Sequence, residues 1–402
     1  MTDRQGYLTQ VKQQNMSAVL RAIWEHGPIS RVELSERTGL TSGTMTNLAH
    51  DLLKAGILRE EAAETSGVGR RRMLLSFNKD QLRLIGVDIG RSGFEVVLAD
   101  LAGNVLESAG TARGSMNEPD RVLDRIVPLV EGMRSRVFAS GRRLLGIGVS
   151  IPGPMDWQRG VLHEPPNFPG WAHYPVGDEM RRRLGTKVLV NDDARASAIA
   201  ERWFGLGRRV NHLVHVTLGM GIGGGVMMNG ELLYGAGGLY GQVGHMTVDP
   251  GGRRCACGNI GCWETVGSIP ALLGDWGREG RESSAKDFFA AVARKEEDAV
   301  RVWERAMHVA TDALASLYFV YDPDVITIGG KLFPHLAPHL ADIAERVRSR
   351  VYASARSRVR IEPSAFGSSQ SAMGGAALIF DRFMREPLAA LREASPPLPE
   401  TD

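Results

Sequence analysis

This sequence predicts an α/β chain in two parts. A winged helix-turn-helix occupies residues 1–80, and a two-lobed fold of the actin and sugar-kinase (ribonuclease H-like) type occupies residues 81–386. Two observations predict it, and a third marks the second part. Short amphipathic helices broken by glycine open the chain. A pattern of strand, glycine loop and hairpin occurs twice, near residues 84–111 and 213–234. All three cysteines fall between Cys255 and Cys262, directly after the second copy. Residues 387–402, which carry Ser395-Pro396-Pro397, read as a disordered tail.

Composition bounds the function without choosing it. Lys and Arg number 48 against 46 Asp and Glu, a formal charge of +2, so any DNA binding must come from local basic groups. The hydrophobic share of 43% and charged share of 23% are those of an ordinary globular chain. No apolar run approaches the length of a membrane helix, and the first residues lack the apolar core of a signal peptide. A cytoplasmic protein is the expectation.

Residues 1 to about 10 are polar and read as loose. From Gln13 to Glu25, Met16, Val19, Leu20, Ile23 and Trp24 recur at helical spacing. His26-Gly27-Pro28 stops that helix. Ser30 is placed to cap a second helix, and Thr41, after the turn at Gly39, a third. The third helix has an inner face of Met45, Leu48 and Leu52. Its outer face, Ser42, Gly43, Thr46 and Asn47, is small and polar, as the major groove requires. Asn47 suits a bidentate contact with adenine. Two short strands at 57–59 and 73–75 then enclose a wing. Its Arg70, Arg71 and Arg72 are suited to phosphate or to the minor groove. Taken singly, three helices are a packing module and three arginines a solvated loop; their order favours DNA.

In the larger part, Leu84–Asp88 is a strand, followed by the loop Ile89–Gly93 and two further strands. Val214–Leu218 is a strand, followed by a loop with Gly219, Gly221 and Gly223. The hairpin beyond it turns at Asn229-Gly230, a strong turn signal. Two such copies predict lobes facing a cleft. Between them Leu145–Ile151 is a strand ending in Pro152-Gly153-Pro154. Lys187–Val190 is another, ending in Asn191-Asp192-Asp193. A carboxylate at a strand end is a site candidate or a helix cap.

His245, Cys255, Cys257 and Cys262 offer one imidazole and three thiolates, the donors of a closed tetrahedral zinc site. Three buried thiols beside an unrelated histidine is the alternative. A disulfide is weaker: Cys-x-Cys bridges poorly, and an odd count leaves one thiol over.

Gly-His, about ten residues, then Cys-x-Cys-Gly-x-x-Gly-Cys-x-Glu resembles the zinc signature of the ROK family of bacterial sugar kinases and sugar-responsive repressors. It matches at Gly244, His245, Cys255, Cys257, Gly258, Gly261, Cys262 and Glu264. The head resembles that of the ROK repressors, with Gly69-Arg70-Arg71-Arg72 at their wing signature. Asn47 stands where many relatives place a basic residue. The resemblance implies a sugar held by Gly153, Asn167, Asn191, Asp192, Gln242, His245 and Glu264. Asp192 would be the catalytic base if kinase activity were retained. Only then would ATP and magnesium be cofactors, on phosphate loops at Asp88, Gly90 and Ser92 and at Gly219, Gly221 and Gly223. The first loop departs from the kinase pattern Asp-x-Gly-Gly-Thr-Lys: Arg91 replaces the second glycine and Gly93 the lysine. Gln242 replaces a glutamate. The reading is a sugar-responsive DNA-binding regulator, a repressor of carbohydrate genes, with operator DNA, a sugar ligand, one structural zinc per chain and a homodimer or tetramer. The rivals are an ATP-dependent sugar kinase with an added DNA-binding domain and a ligand-free structural protein on DNA.

Overall fold

The structure is a computed structural model. It describes residues 2–63, 72–111, 114–166, 168–277 and 284–394, leaving aside the side chains of residues 2–5 and 209.

The head starts with α1 (Thr2–His26), which runs through the segment expected to be loose; the pattern of Val11, Met16, Val19 and Leu20 is preceded by residues with no helix breaker but Gly6. After the short strand β1 (Ile29–Ser30), α2 (Arg31–Thr38) is closed by a capping box. The Ser30 hydroxyl accepts from the Glu33 amide, and the Glu33 carboxylate accepts from the Ser30 amide. Gly39 ends α2 in the left-handed conformation that glycine tolerates. Thr41 caps α3 (Ser42–Lys54), which buries Met45, Leu48, Ala49 and Leu52. Two antiparallel strands, β2 (Leu58–Ala62) and β3 (Met73–Phe77), complete the winged helix, with β1 on the far side of β3. Arg70 and Arg71 of the wing lie outside the described residues.

Lobe one is a five-stranded sheet. Strands β4 (Leu82–Gly90), β5 (Gly93–Asp100) and β6 (Val105–Thr111) form an antiparallel meander. Helix α4 (Pro119–Ala139) leads to β7 (Arg143–Ile151), which lies parallel to β4. The hairpin β8 (Met155–Asp156) and β9 (Val161–Leu162) and helix α5 (Val176–Leu184) precede β10 (Val188–Asp192), parallel to β7. Helix α6 (Asp193–Phe204) crosses to lobe two. There β11 (Leu213–Leu218), β12 (Ile222–Met228) and β13 (Glu231–Leu232) repeat the meander, and β14 (Val325–Gly329) and β15 (Ile361–Pro363) add parallel strands. The two sheets thus share one plan, as the repeated pattern predicts. Asn229 and Gly230 turn the β12–β13 hairpin with φ of 53° and 73°, the left-handed pair that a two-residue turn demands.

The helix Gln370–Arg385 packs flat on lobe one. A Cβ on Gly86 would lie 1.9 Å from the Ala372 carbonyl oxygen, and one on Gly148 2.0 Å from that of Gly375. Glycine on the strands is what lets this helix seat so closely. The same helix crosses α6, where Gly374 meets the backbone of Ala196.

The head shares a core with these helices. Trp24 of α1 packs its ring 4.7 Å from Phe380, 6.2 Å from Phe204 and 5.4 Å from Phe77. The Ser17 hydroxyl donates to the Met384 carbonyl at 2.6 Å, and ion pairs join Arg21 to Glu231 and Glu25 to Arg202 at 3.5 Å each.

The chain from Pro387 departs from the expected disordered tail. Pro387–Glu393 is a helix that buries Ala390 and Leu391 on the core, and Arg382 pairs with Glu393 at 2.6 Å. Proline in the first turn is compatible with a helix start, and the apolar residues behind it supply a face to bury. Residues 395–402 lie outside the described residues.

Candidate ligand cleft and metal loop

The lobes enclose a cavity of about 360 Å³. Its walls come from the ends of β4, β10 and β11, the first turn of the helix Gln370–Arg385, and the segment around His245 and Glu264. Asp192 sits at the mouth of α6. One carboxylate oxygen caps that helix, accepting from the amides of Ala194 and Arg195 at 3.2 and 3.3 Å. The other accepts from the Gly153 amide at 3.1 Å. Cap and cleft residue are therefore the same side chain.

Glu264 turns into the cavity with Gln242 and His245. Its carboxylate accepts from the Ile222 amide at 2.8 Å, at the exit of the second glycine loop. Both loops border the cavity, with Asp88, Gly90 and Ser92 on one side and Gly219, Gly221 and Gly223 on the other. Arg91 reaches across. A Cβ on Gly221 would lie 2.6 Å from an Arg91 guanidinium nitrogen and 2.6 Å from a Glu264 carboxylate oxygen. The Lys331 ammonium, from the opposite lobe, donates to the Ser92 hydroxyl. Two cations thus cross the space between the loops.

The carboxylates face one another. Burial, then the charge of Asp193, pushes Asp88 up to about 8. Burial, then Asp192, pushes Asp193 up to about 7, with Arg91 pulling the other way. A crowded set of acids in low dielectric resists carrying its full charge.

Not every candidate comes to this cavity. Asn191 and Asp192 are neighbours on a strand, and alternation sends their side chains to opposite faces. The Asn191 amide donates to the Tyr234 hydroxyl at 3.2 Å and borders a second cavity. Asn167 lies outside the described residues. Sequence reasoning did not single out Asp193, Lys331 or Gln370, all of which line the cleft. Asp193 was legible as the third member of Asn191-Asp192-Asp193, and Lys331 as the residue after Gly329-Gly330. Gln370 gives no local signal; its amide reaches Thr217 at 3.2 Å across the cleft floor.

His245, Cys255, Cys257 and Cys262 do converge. Their donor atoms lie within 4.8 Å of one another. The Cys257 and Cys262 sulfurs are 3.7 Å apart, and Cys255 sulfur is 3.6 Å from His245 Nδ1. Sulfurs at about 2.3 Å from a tetrahedral zinc would sit about 3.8 Å from each other, so this donor set fits the ion. Two β-bridges, Thr247 with Cys262 and Arg254 with Ile260, fold the loop, and Gly261 packs on the Asp249 carbonyl where a Cβ would lie 1.6 Å away. His245 thereby turns Nδ1 to the thiols while its ring borders the sugar-sized cavity.

On the head, Ser42, Gly43, Thr46 and Asn47 are exposed along one side of α3, and Arg72 is exposed at the end of the wing. No helix among the described residues is long and apolar enough to cross a membrane.

A winged-helix head joined to a two-lobed cleft of the sugar-kinase plan defines the class of this molecule. Residues 84–382 match the ROK family, and residues 14–65 match the MarR family. The chain belongs to the ROK family. It is 28% identical over 376 residues to the xylose repressor of Bacillus spizizenii, covering 94% of this chain and 97% of that one. It is 30% identical over 318 residues to a glucokinase of Thermotoga maritima, covering 75% and 98%. Among solved structures, a ROK family transcriptional regulator described as a homologue of the Escherichia coli MLC protein superposes with a TM-score of 0.78 at 28% identity, covering 94% and 98%. The glucokinase aligns with about the length of the ROK part; the repressor and the regulator align through the head.

Proposed function

We propose that this protein is a sugar-responsive, DNA-binding transcriptional repressor. Operator DNA is gripped by α3 and the wing, through Ser42, Gly43, Thr46, Asn47 and the arginines 70–72. A sugar lies in the cleft against Asp192, Gln242, His245 and Glu264, whose acceptors and donors alternate as sugar hydroxyls require. Zinc is held by His245, Cys255, Cys257 and Cys262, and orients His245 toward the ligand from behind. It acts in the cytoplasm, where thiols stay reduced. It works as a homodimer or homotetramer, since a two-fold operator calls for a two-fold reader.

One observation carries this reading. The helices α6 and Gln370–Arg385 begin at the cleft and end on Trp24 of the head. A change of lobe closure therefore has a packed route to the DNA-reading helices. This reading gives ATP and magnesium no role, because the Arg91 guanidinium stands against Gly221, where a phosphate would need open backbone.

The test is a titration of fluorescent operator fragments from the protein's own promoter at fixed salt, with a panel of pentoses, hexoses and amino sugars. One sugar should weaken operator binding by roughly the 1–3 kcal/mol of ordinary allosteric coupling. If none does so, the sensing half fails; ADP release with any of these sugars would instead support a kinase.

A further inference from the structure

Behind the sugar cleft lies a second cavity, of about 470 Å³. It runs along the outer edge of β10, the edge strand of its sheet, whose last residues are Asn191 and Asp192. Its floor is apolar, with Leu189, Val190 and Leu378. One wall is aromatic: the Trp157 ring is stacked on Tyr234 at 3.8 Å and 20°. Its rim is basic. Arg159, Arg181 and Lys187 are exposed there. Arg159 makes no ion pair among the described residues, Arg181 pairs with the exposed Asp178, and Lys187 reaches Glu393 only at 3.7 Å. The acids of the cavity are already engaged. Asp381 accepts from the Trp203 indole and from Arg385, Glu231 accepts from Arg385, and Glu386 lies 3.7 Å from Arg382.

We propose that this cavity is a second small-molecule site, taking an organic phosphate with a ring body. The ring would lie on Trp157 and the apolar floor, and the phosphate at Arg159, Arg181 and Lys187. A flat ring on an aromatic face and a dianion between exposed cations are complementary demands, and one cavity meets both. A ligand here would also touch two working parts at once. Asn191 borders the cavity and precedes the Asp192 of the cleft. Glu231 borders it too, and holds Arg21 of α1 at 3.5 Å. Occupancy would therefore bias how the head is held. That coupling rests on the repressor reading; the binding does not.

Calorimetry on the full chain tests it, with glucose 6-phosphate and AMP as probes for a sugar ring and a nucleobase, and inorganic phosphate and glucose as references. At least one of the two organic phosphates should bind once per chain, about tenfold or more tighter than inorganic phosphate. The surface variant Arg159→Glu/Lys187→Glu should weaken it by about tenfold or more, as loss of charge-assisted bonds requires. The cleft variant Asp192→Ala should leave it in place. Absence of binding by both probes overturns the site. So does equal binding of inorganic phosphate, which marks an adventitious ion only, or binding abolished by Asp192→Ala and kept in the double variant, which places the ligand in the sugar cleft. A bound organic phosphate that leaves operator affinity unchanged, with and without sugar, overturns the coupling.

Discussion

The Gly153 amide donates to Asp192 at 3.1 Å, and a Cβ added to Gly153 would stand 2.4 Å from the same carboxylate oxygen. The carboxylate is thus held on two sides, by the helix it caps and by a loop with no room for a side chain. Asp192→Ala is expected to abolish the sugar response while leaving operator binding. It should also cost about 1 kcal/mol of stability through the lost cap. Operator titrations with sugar, beside urea melts, separate the two effects. Gly153→Ala should mimic the first effect by displacing the carboxylate.

Asn47 is exposed on α3, and its replacement disturbs no packing. Asn47→Ala should weaken operator binding by about 1–3 kcal/mol, the worth of a good base contact, with an unchanged melting temperature. Arg72→Ala should instead lower affinity for all sequences and reduce the salt slope by about one. Fluorescence anisotropy over a salt series reads both. Loss of affinity without loss of base preference in Asn47→Ala would remove that residue from direct readout.

Cys257 is the exposed member of the converging group His245, Cys255, Cys257 and Cys262. Purified protein should carry about one zinc per chain, by elemental mass spectrometry, as a four-donor site implies. Cys257→Ser should lower that content and weaken sugar binding through His245. A protein free of zinc when purified with metal present would refute the assignment.

Asp88 supplies a pH prediction. Its carboxyl is raised from 3.8 to about 8 in the folded chain, first by burial and then by Asp193. A raised value means the folded state holds the proton more tightly than the unfolded chain. Its contribution is complete below about pH 4 and is lost as pH climbs through about 8. Stability should therefore decline across that window, and Asp88→Asn should flatten the decline. Urea midpoints at pH 5 and pH 8 measure it; an unchanged slope in the variant would remove Asp88 as its source.

The local chemistry of this sequence was easily read. Ser30, Thr41, Gly39 and Asn229-Gly230 each act within a few residues, and each does what its type demands. The convergence of His245 with the three cysteines was equally visible, because three of the four donors are close in sequence. Long-range pieces were less so. Lys331 and Gln370 reach the cleft only because the second lobe folds over the first; Lys331 is marked locally by Gly329-Gly330 alone, and Gln370 by nothing. The helix Pro387–Glu393 was hidden by the proline content beyond it. Asn191 shows a subtler limit: the strand end was identified, yet a step of one residue decides which cavity a side chain enters.

Trp24 lies near one end of a 25-residue helix. At about 1.5 Å per residue such a helix extends for some tens of ångströms. A pivot at that tryptophan magnifies small rotations: a swing of about 5° would carry the distant tip roughly 3 Å over that length. Sensor movements too slight to remodel a pocket, handed from α1 to α2 and from α2 to α3 where these helices pack, would still put the reading helix out of step with its groove. Graded control of transcription therefore asks very little of the sugar itself.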